Sequence, residues 1–499
     1  MAKKTQNFIS KYINSDKDFP VVAGIAASLY PTLYYYSNNF SMLDTWVHFF
    51  YLMGMFVCIP VVVFVVIHKI SKLAVFSRYK KYVIPFLSVF VFFFILKTLL
   101  YVPIERKLIA YSIAAAGVFA FFLHKHVKKL IILQYLMALV ALFALGKELF
   151  YRITYDDSWK DQPDAIESVQ FSKKPNVYFF EPDGYVGFKQ LKESPYNYDN
   201  TTFENFLKSE DFKTYPDFRT NYITTLASNG ATFTMKHHYY DFNLDLEEVE
   251  EAQKIIISDN PVLNIFKNNG YETYFISSSR YFMLNRPTLG YHHSNIDYAN
   301  IEYLHKGMGE REPVLEPFTN FLNDGVEKPK FFFVQFLLPW HVSSLEHLSG
   351  GVEEERKEYL KRMDEANTML TKMFTEILEK DPNALIVLMS DHGGYVGLTY
   401  TRECYAPVED PALVNSILKS NLTIHWPDNE IPEYDEQMDS PVNVFRILFS
   451  YLSGNKEFTK NLQPDESFII HKKEVTPGVY KYYEDSGKRV FEKMEPQKQ

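Results

Sequence analysis

Asn176-Val-Tyr-Phe-Phe-Glu-Pro-Asp-Gly-Tyr185 is an apolar run that ends in an acid and a turn, and Ala384-Leu-Ile-Val-Leu-Met-Ser-Asp-His-Gly-Gly394 repeats that pattern later in the chain. A short run that is apolar at nearly every position reads as a strand buried on both faces. Tyr271–Ile276, which follows the Asn269-Gly270 turn, Lys330–Leu337 and Leu422–His425 read the same way. Thr202–Leu207, Pro261–Asn268 and Glu353–Lys380 carry helical spacing, and the last holds neither Pro nor Gly. Strands alternating with helices predict an α/β domain, its mostly parallel central sheet sandwiched by helices.

Sheets of this kind place their chemistry beyond the carboxyl ends of the strands. Asp183 stands there after the first strand, and Asp391 and His392 after the later one. A Gly directly after His392 lets the backbone turn sharply, so carboxylate and imidazole can converge on one point. Two carboxylates and an imidazole suit zinc or manganese. Asp-Gly alone is an ordinary turn, so Asp183 does not make the case by itself. The Asp-His pair directly after an apolar strand does.

A candidate nucleophile lies in Asn221-Tyr-Ile-Thr-Thr-Leu-Ala-Ser228, where a Thr precedes a run of small residues suited to opening a helix. A helix N-terminus presents amide N–H groups to a phosphate, and a nearby cation makes a hydroxyl easier to ionise. Thr224 and Thr225 both fit, and one is an ordinary cap. Arg280, in Ser277-Ser-Ser-Arg280, is a phosphate clamp or a salt-bridge partner. Trp340 is a stacking platform for a sugar or a packing residue, and His341 beside it a substrate contact or a loop residue. His237-His238 and His292-His293 look metal-like, but adjacent side chains on a strand point to opposite faces. Asp245–Glu251 reads as a solvated acidic face.

The N-terminal part is a different material. Phe19–Tyr36, Trp46–Ile67, Val83–Val102, Leu108–Leu123 and Leu130–Leu145 are apolar stretches. A bilayer core takes a helix of roughly 20 apolar residues. Five such runs in succession predict five transmembrane helices, and the repetition argues against a cleavable signal peptide. Lys97 lies close enough to the end of its run to reach the interface. Lys and Arg gather before the first run, after the second and after the fourth, which positive-inside logic places in the cytoplasm. Residues 1–150 are then a multi-pass anchor in the cell membrane, 151–172 a polar connector with a short surface helix, and 173–499 a domain facing the periplasm or the cell exterior.

Residues 1–152 hold 17 Lys and Arg against 5 Asp and Glu, a net +12, and the rest of the 499-residue chain carries −21. An acidic bulk lacks the basic face that nucleic-acid binding needs. Two Cys, Cys58 and Cys404, exclude a disulfide framework and a cysteine zinc cluster. The bilayer and a phospholipid or glycan substrate are the expected partners; oligomeric state leaves no mark in the sequence.

Pro175–Tyr185, Asn221–Ser228 and Ser390–Gly393, in this order, resemble the alkaline phosphatase/sulfatase superfamily, and five preceding spans resemble its membrane-anchored branch of lipoteichoic acid synthases and phosphoethanolamine transferases. Ser440-Pro-Val-Asn-Val-Phe-Arg446 and Leu462-Gln-Pro-Asp-Glu466 resemble that branch's C-terminal module, so the likeness covers most of 173–470. The resemblance implies an alkaline-phosphatase-like fold and one divalent metal bound by Asp183, Thr225, Asp391 and His392. Its Thr-x-x-Ser spacing selects Thr225 over Thr224 as nucleophile. It also implies that Glu181 sits behind the ligands. Two departures stand out: Leu338-Pro-Trp-His341 replaces the His-Pro-Pro of relatives, and the Cys-x-Pro-x-Arg of typical sulfatases is missing.

The activity implied by the resemblance is that of a metal-dependent transferase. It would move a phosphoglycerol- or phosphoethanolamine-type head-group from a lipid donor to an envelope glycan or lipid through a covalent Thr225 intermediate. An extracytoplasmic phosphate- or sulfate-ester hydrolase is the alternative, and a non-catalytic membrane scaffold a third.

Overall fold

A computed structural model describes residues 9–101, 105–239, 249–304 and 311–495. The chain divides into two compact units, one of Met1–Tyr155 with Leu284–Arg286 and Ile301–Gly309, the other of Asp156–Met283, Pro287–Asn300 and Glu310–Gln499.

The first unit is helical. Its helices include α1 (Pro20–Asn38), α2 (Trp46–Met53), α3 (Ile59–Ile70), α4 (Lys80–Leu100), α5 (Arg106–Leu123) and α6 (Val127–Thr154). A wide turn at Gly54–Cys58 joins α2 and α3 into one run. Among the described residues, three runs are long and apolar enough to cross a membrane: Trp46–Ile70, Ser77–Leu100 and Arg106–Lys160, with mean hydropathy 2.7, 2.4 and 2.1. The third contains both α5 and α6, divided by a tight turn at His124–His126. α1 coincides with the first apolar stretch, yet it is not among the three. Its Ser28 and Thr32 return their hydroxyls to the helix backbone, on Gly24 O at 2.7 Å and Ser28 O at 2.8 Å. That satisfies polar groups where water is scarce. Gly24 lets α1 approach α3: a Cβ there would lie 3.0 Å from Val61 Cα. Lys97 rests its ammonium 4.9 Å from the Tyr101 ring at the end of α4. α6 runs to Thr154, beyond Tyr151 where the connector is expected to begin, because Tyr151–Tyr155 holds no Gly or Pro to stop it before Asp156 and Asp157. The connector forms short 3-10 helices at Ser158–Lys160 and Ala165–Ser168.

The second unit is built on strands β1 (Val177–Pro182), β2 (Phe212–Thr214), β3 (Glu272–Ser277), β4 (His293–Ser294), β5 (Lys330–Phe336), β6 (Leu385–Met389) and β7 (Leu422–His425), in spatial order β2-β7-β6-β1-β5-β3-β4. β6, β1, β5, β3 and β4 run parallel, and β7 is antiparallel to β6 and β2. Its helices include α7 (Thr201–Ser209), α8 (Thr225–Thr234), α9 (Pro261–Asn268), α10 (Val352–Lys380) and α11 (Pro441–Ser453).

Alternate residues of β1 face opposite layers. Tyr178 and Phe180 share a core with Tyr359, Met363, Ala366, Leu370 and Phe374 of α10, whose spacing makes one helical face. Phe179 turns the other way and meets Phe233 of α8 at 6.2 Å and Phe445 of α11 at 5.0 Å. Helices therefore cover both faces, and apolar runs without alternation are what such strands require. A second, antiparallel sheet of β8 (Ser467–His471), β9 (Gly478–Tyr483) and β10 (Arg489–Lys493) follows. Its first strand holds only the short apolar run Phe468-Ile-Ile470, which is not among the strands read from the sequence.

Candidate active site and metal centre

Four side chains converge just past the carboxyl ends of β1 and β6. The Asp183 N–H donates to Phe336 O at 2.9 Å, and the Trp340 N–H to Asp183 O at 2.8 Å, which holds the turn after β1 against the end of β5. Gly184, at φ +68°, occupies the left-handed region that favours glycine. Its N–H reaches Asp391 Oδ1 at 3.2 Å, and the Tyr185 N–H reaches Ser390 Oγ at 2.9 Å. Those two bonds couple the turn after β1 to the turn after β6.

His392 sets its Nδ1 2.9 Å from Gly393 O, which assigns that nitrogen the proton and leaves Nε2 as a lone pair. Nε2 lies 3.4 Å from Asp391 Oδ2 and 4.0 Å from Asp183 Oδ1. The Thr225 hydroxyl donates to Asp183 Oδ2 at 3.2 Å. Thr225 is the first residue of α8, and the Thr224 side chain caps that helix by accepting from Ala227 N. Thr220 bridges α8 to the ligand turn, its hydroxyl 3.1 Å from Ser228 Oγ and 2.5 Å from Asp391 O.

Electrostatics single out the same place. Burial, then the charge of Asp391, lifts the Asp183 carboxyl to about 7, against pulls from His392 and Thr225. Burial and Asp391 also hold Glu181 well above the carboxylate range. Burial pulls His392 down, but Asp391 and Asp183 outweigh it and keep the imidazole above its usual value. Crowded acids in a dry site call for positive charge.

The donor set fits a divalent cation. Ligand atoms of Asp183, Asp391 and His392 lie within 4.8 Å of one another, all three residues buried. Asp183 Oδ1 and Asp391 Oδ2 are buried without a hydrogen-bond partner. An orphaned buried oxygen is costly unless an ion completes it.

The remaining candidates differ in how near they come to this cluster. His341 comes close: its ring centroid is 5.8 Å from that of His392, and burial and His392 push it down to about 3. Its Nδ1 lies 2.5 Å from Val342 O, so Nε2 is again the open nitrogen. Trp340 stands beside it at φ +60°, its Nε1 buried without a partner and Arg311 5.7 Å over its ring. Arg280 is engaged with Glu312 at 2.5 Å and with Asn300 O at 2.9 Å, the salt-bridge alternative. His237 and His238 are buried structural residues, bonded to Tyr222 Oη at 3.1 Å and Ala227 O at 2.7 Å. His293 pairs with Glu272 at 3.0 Å, and His292 Nδ1 lies 2.9 Å from the Thr273 hydroxyl. Most of the acidic stretch Asp245–Glu251 lies outside the described residues. Glu181 stands behind Asp183 and accepts from Asn229 Nδ2 at 2.8 Å.

Two contributors carried no signal. Arg362 of α10 donates to Pro339 O at 2.7 Å and His341 O at 3.1 Å, clamping the Trp340-His341 loop. In the sequence it is one charge among many on a polar helix. Thr220 looks like any loop Thr.

An α/β domain with a buried carboxylate–imidazole cluster beside a helix-borne hydroxyl, in a chain that also carries membrane-length apolar helices, has the make-up of a membrane-associated enzyme. The family model that matches is Sulfatase, over residues 186–454, and the chain belongs to the sulfatase family. No curated protein matches it. Among solved structures it is similar to the C-terminal periplasmic domain of EcEptC from Escherichia coli, at 14% identity over 62% of this chain and 93% of that one, with a TM-score of 0.42. It is similar to the integral membrane lipooligosaccharide phosphoethanolamine transferase A (EptA) from Neisseria meningitidis, at 14% identity over 88% and 96%, with a TM-score of 0.39. It is also similar to BT4656, solved with its substrate D-glucosamine-2-N,6-O-disulfate, at 12% identity over 62% and 86%, with a TM-score of 0.39.

Proposed function

We propose that this chain is a membrane-bound, metal-dependent transferase with five membrane spans and its α/β domain outside the cytoplasm. It moves a phospho-substituted head-group from a lipid donor to an envelope glycan or lipid through a covalent Thr225 intermediate. The observation that carries this reading is the placement of Thr225 Oγ1 at the start of α8, 3.2 Å from Asp183 Oδ2.

Asp183, Thr225, Asp391 and His392 would hold one zinc or manganese ion. Such an ion supplies positive charge that eases ionisation of the Thr225 hydroxyl and offsets charge on the phosphoryl oxygens. Asp183 Oδ2 holds the Thr225 proton and aims the hydroxyl. A bond forms from Thr225 Oγ1 to phosphorus as its proton passes to Asp183 Oδ2, and the bond from phosphorus to the diacylglycerol oxygen breaks, that oxygen leaving with the same proton. In the second half an acceptor oxygen bonds to phosphorus and the bond from phosphorus to Thr225 Oγ1 breaks; the acceptor's proton passes by way of His341 Nε2, unprotonated near neutral pH, to Thr225 Oγ1, which regains its hydroxyl. Trp340 and Arg280 are proposed to contact the substrate, Arg280 after exchanging Glu312 for a phosphate. Tethering keeps the site close to a donor that never leaves the bilayer.

The test is Thr225→Ala in vesicles of fluorescent phosphatidylethanolamine and phosphatidylglycerol. Diacylglycerol release should fall at least about a thousandfold, in line with loss of a nucleophile. Release at the wild-type rate would refute the assignment. Chelation should silence the enzyme and metal add-back restore it. Membership in the sulfatase family favours a second reading, hydrolysis of a phosphate or sulfate ester with water as acceptor. Product analysis separates the two, since transfer leaves the head-group on an acceptor.

A further inference from the structure

Strand β1 and helix α8 meet through two hydrogen-bonded rungs. The outer joins Thr225 Oγ1 to Asp183 Oδ2 at 3.2 Å, and the inner joins Asn229 Nδ2 to Glu181 Oε1 at 2.8 Å. Residues two apart on a strand share a face, about 6.6 Å from one another. Residues four apart on a helix stack one above the other, a rise of about 6 Å. The two spacings match, so fixing one rung fixes the other.

The inner rung is the better anchored. Glu181 and Asn229 are both 0% exposed, whereas Thr225 is partly exposed. A bond to a carboxyl in a dry setting is directional and strong. Deeper along the same interface α8 and β1 meet through rings, Phe179 against Phe233 at 6.2 Å. Apolar contact of that kind is non-directional and fixes no register along the helix axis. Other sides of α8 are tied to His238 through Ala227 O and to Thr220 through Ser228. Asn229 ties it to the strand that leads into Asp183.

We propose that Glu181 and Asn229 are positioning residues for Thr225: their bond sets the axial register of α8 on β1 and so presents Thr225 Oγ1 to Asp183. The inference rests on reading Thr225 as the nucleophile. Glu181 Oε2 and Asn229 Oδ1 are buried without a hydrogen-bond partner, so the Oε1–Nδ2 bond is what joins the two side chains.

The full chain in detergent with zinc, bis(4-nitrophenyl) phosphate as probe and hydrogen exchange over 225–234 as a second readout decides it. Glu181→Ala and Asn229→Ala should each lower kcat about 30-fold with KM within about twofold, the scale of a roughly ångström-sized misplacement. The double variant should be no worse than either single one, because both remove the same bond. Glu181→Gln keeps the acceptor and should recover about tenfold over Glu181→Ala. Exchange at 225–229 should quicken in both alanine variants and stay at the wild-type rate in Glu181→Gln. Asn229→Ser replaces either alanine variant that fails to fold, with the same expected loss. Wild-type kcat and exchange in Asn229→Ala would overturn the proposal. So would a Glu181→Gln variant as slow as Glu181→Ala with zinc affinity weakened tenfold, since Glu181 would then act on the cation. Thr225→Ala, run alongside, separates the two claims. Full activity there sinks the nucleophile, while unchanged exchange in the alanine variants sinks the rung.

Discussion

Gly184 shows how narrow the tolerance of the site is. Its φ is +68°, and a Cβ there would lie 2.8 Å from Trp340 O and 3.2 Å from His341 N. The same residue gives its N–H to Asp391 Oδ1. Left-handed backbone costs an ordinary L-residue about 1–2 kcal/mol, and the clash must be relieved by moving the loop that carries Trp340 and His341. Gly184→Ala should therefore lose about 2 kcal/mol of stability in denaturant melts. Because the moved N–H no longer fixes Asp391, zinc affinity by calorimetry should fall about tenfold, the usual scale for a lost contact behind a metal ligand. Stability lost with zinc affinity intact would mean the turn is structural and not tied to the site. Trp340, at φ +60°, is strained beside it, so the two turns hold each other in conformations neither would choose alone.

Helix α8 separates two neighbouring threonines into different jobs. Thr224 is the cap, its oxygen 3.4 Å from Ala227 N, and Thr225 faces the acid. Thr224→Ala should cost about 1 kcal/mol of stability, as cap losses do. Its turnover should stay within about fivefold of wild type, against the near-complete loss in Thr225→Ala; equal losses in both would erase the distinction. The sequence alone left those two residues tied, because both precede the same run of small residues, and the family resemblance was needed to choose. Asp391 and His392 were legible as candidates, since the pair follows an apolar strand that is buried on both faces, whereas Asp183 alone read as an ordinary turn and gained weight only beside them. The inner strands were legible for the same reason: Lys330–Phe336 is buried at every position. β2, three residues at the sheet edge, and β8 to β10 were not. Gly-Val-Tyr-Lys-Tyr-Tyr of β9 mixes polar and aromatic positions, and its pairing partners are set by long-range packing. α1 illustrates the reverse case, a helix found where expected but diluted by Tyr34, Tyr35 and Tyr36 and by its serines and threonines. The Glu181–Asn229 bond joins residues far apart in sequence, and a mid-helix Asn announces nothing.

At the scale of the whole molecule, the α/β unit stores unfavourable charge in its interior, and that makes folding, protons and cation one linked equilibrium. Asp183 is held at about 7 against an ordinary 3.8, so across roughly pH 4 to 7 the folded metal-free form keeps a proton that the unfolded chain has lost. Stability of the metal-free protein must then fall as pH rises through that window. His392 works in the same direction. Its folded value lies above 6.5, so its contribution is present in full below 6.5 and is lost as pH rises through the folded value. A divalent cation takes the deprotonated carboxylates and the neutral imidazole, and so recovers most where the protons have gone. At a hundred times its dissociation constant, a ligand of the folded form adds about 2.7 kcal/mol. For a domain of this size that is a rise in melting temperature of about 5 °C. Zinc added to chelator-treated protein should therefore raise the melting temperature by about 5 °C at pH 7.5 and by much less at pH 5. Asp391→Asn removes the neighbouring charge that Asp183 opposes. It should melt higher than the wild type when both are metal-free at pH 7.5, and it should gain little from zinc. An increment from zinc that is the same at both pH values, or undiminished in Asp391→Asn, would show that the cation binds away from these carboxylates.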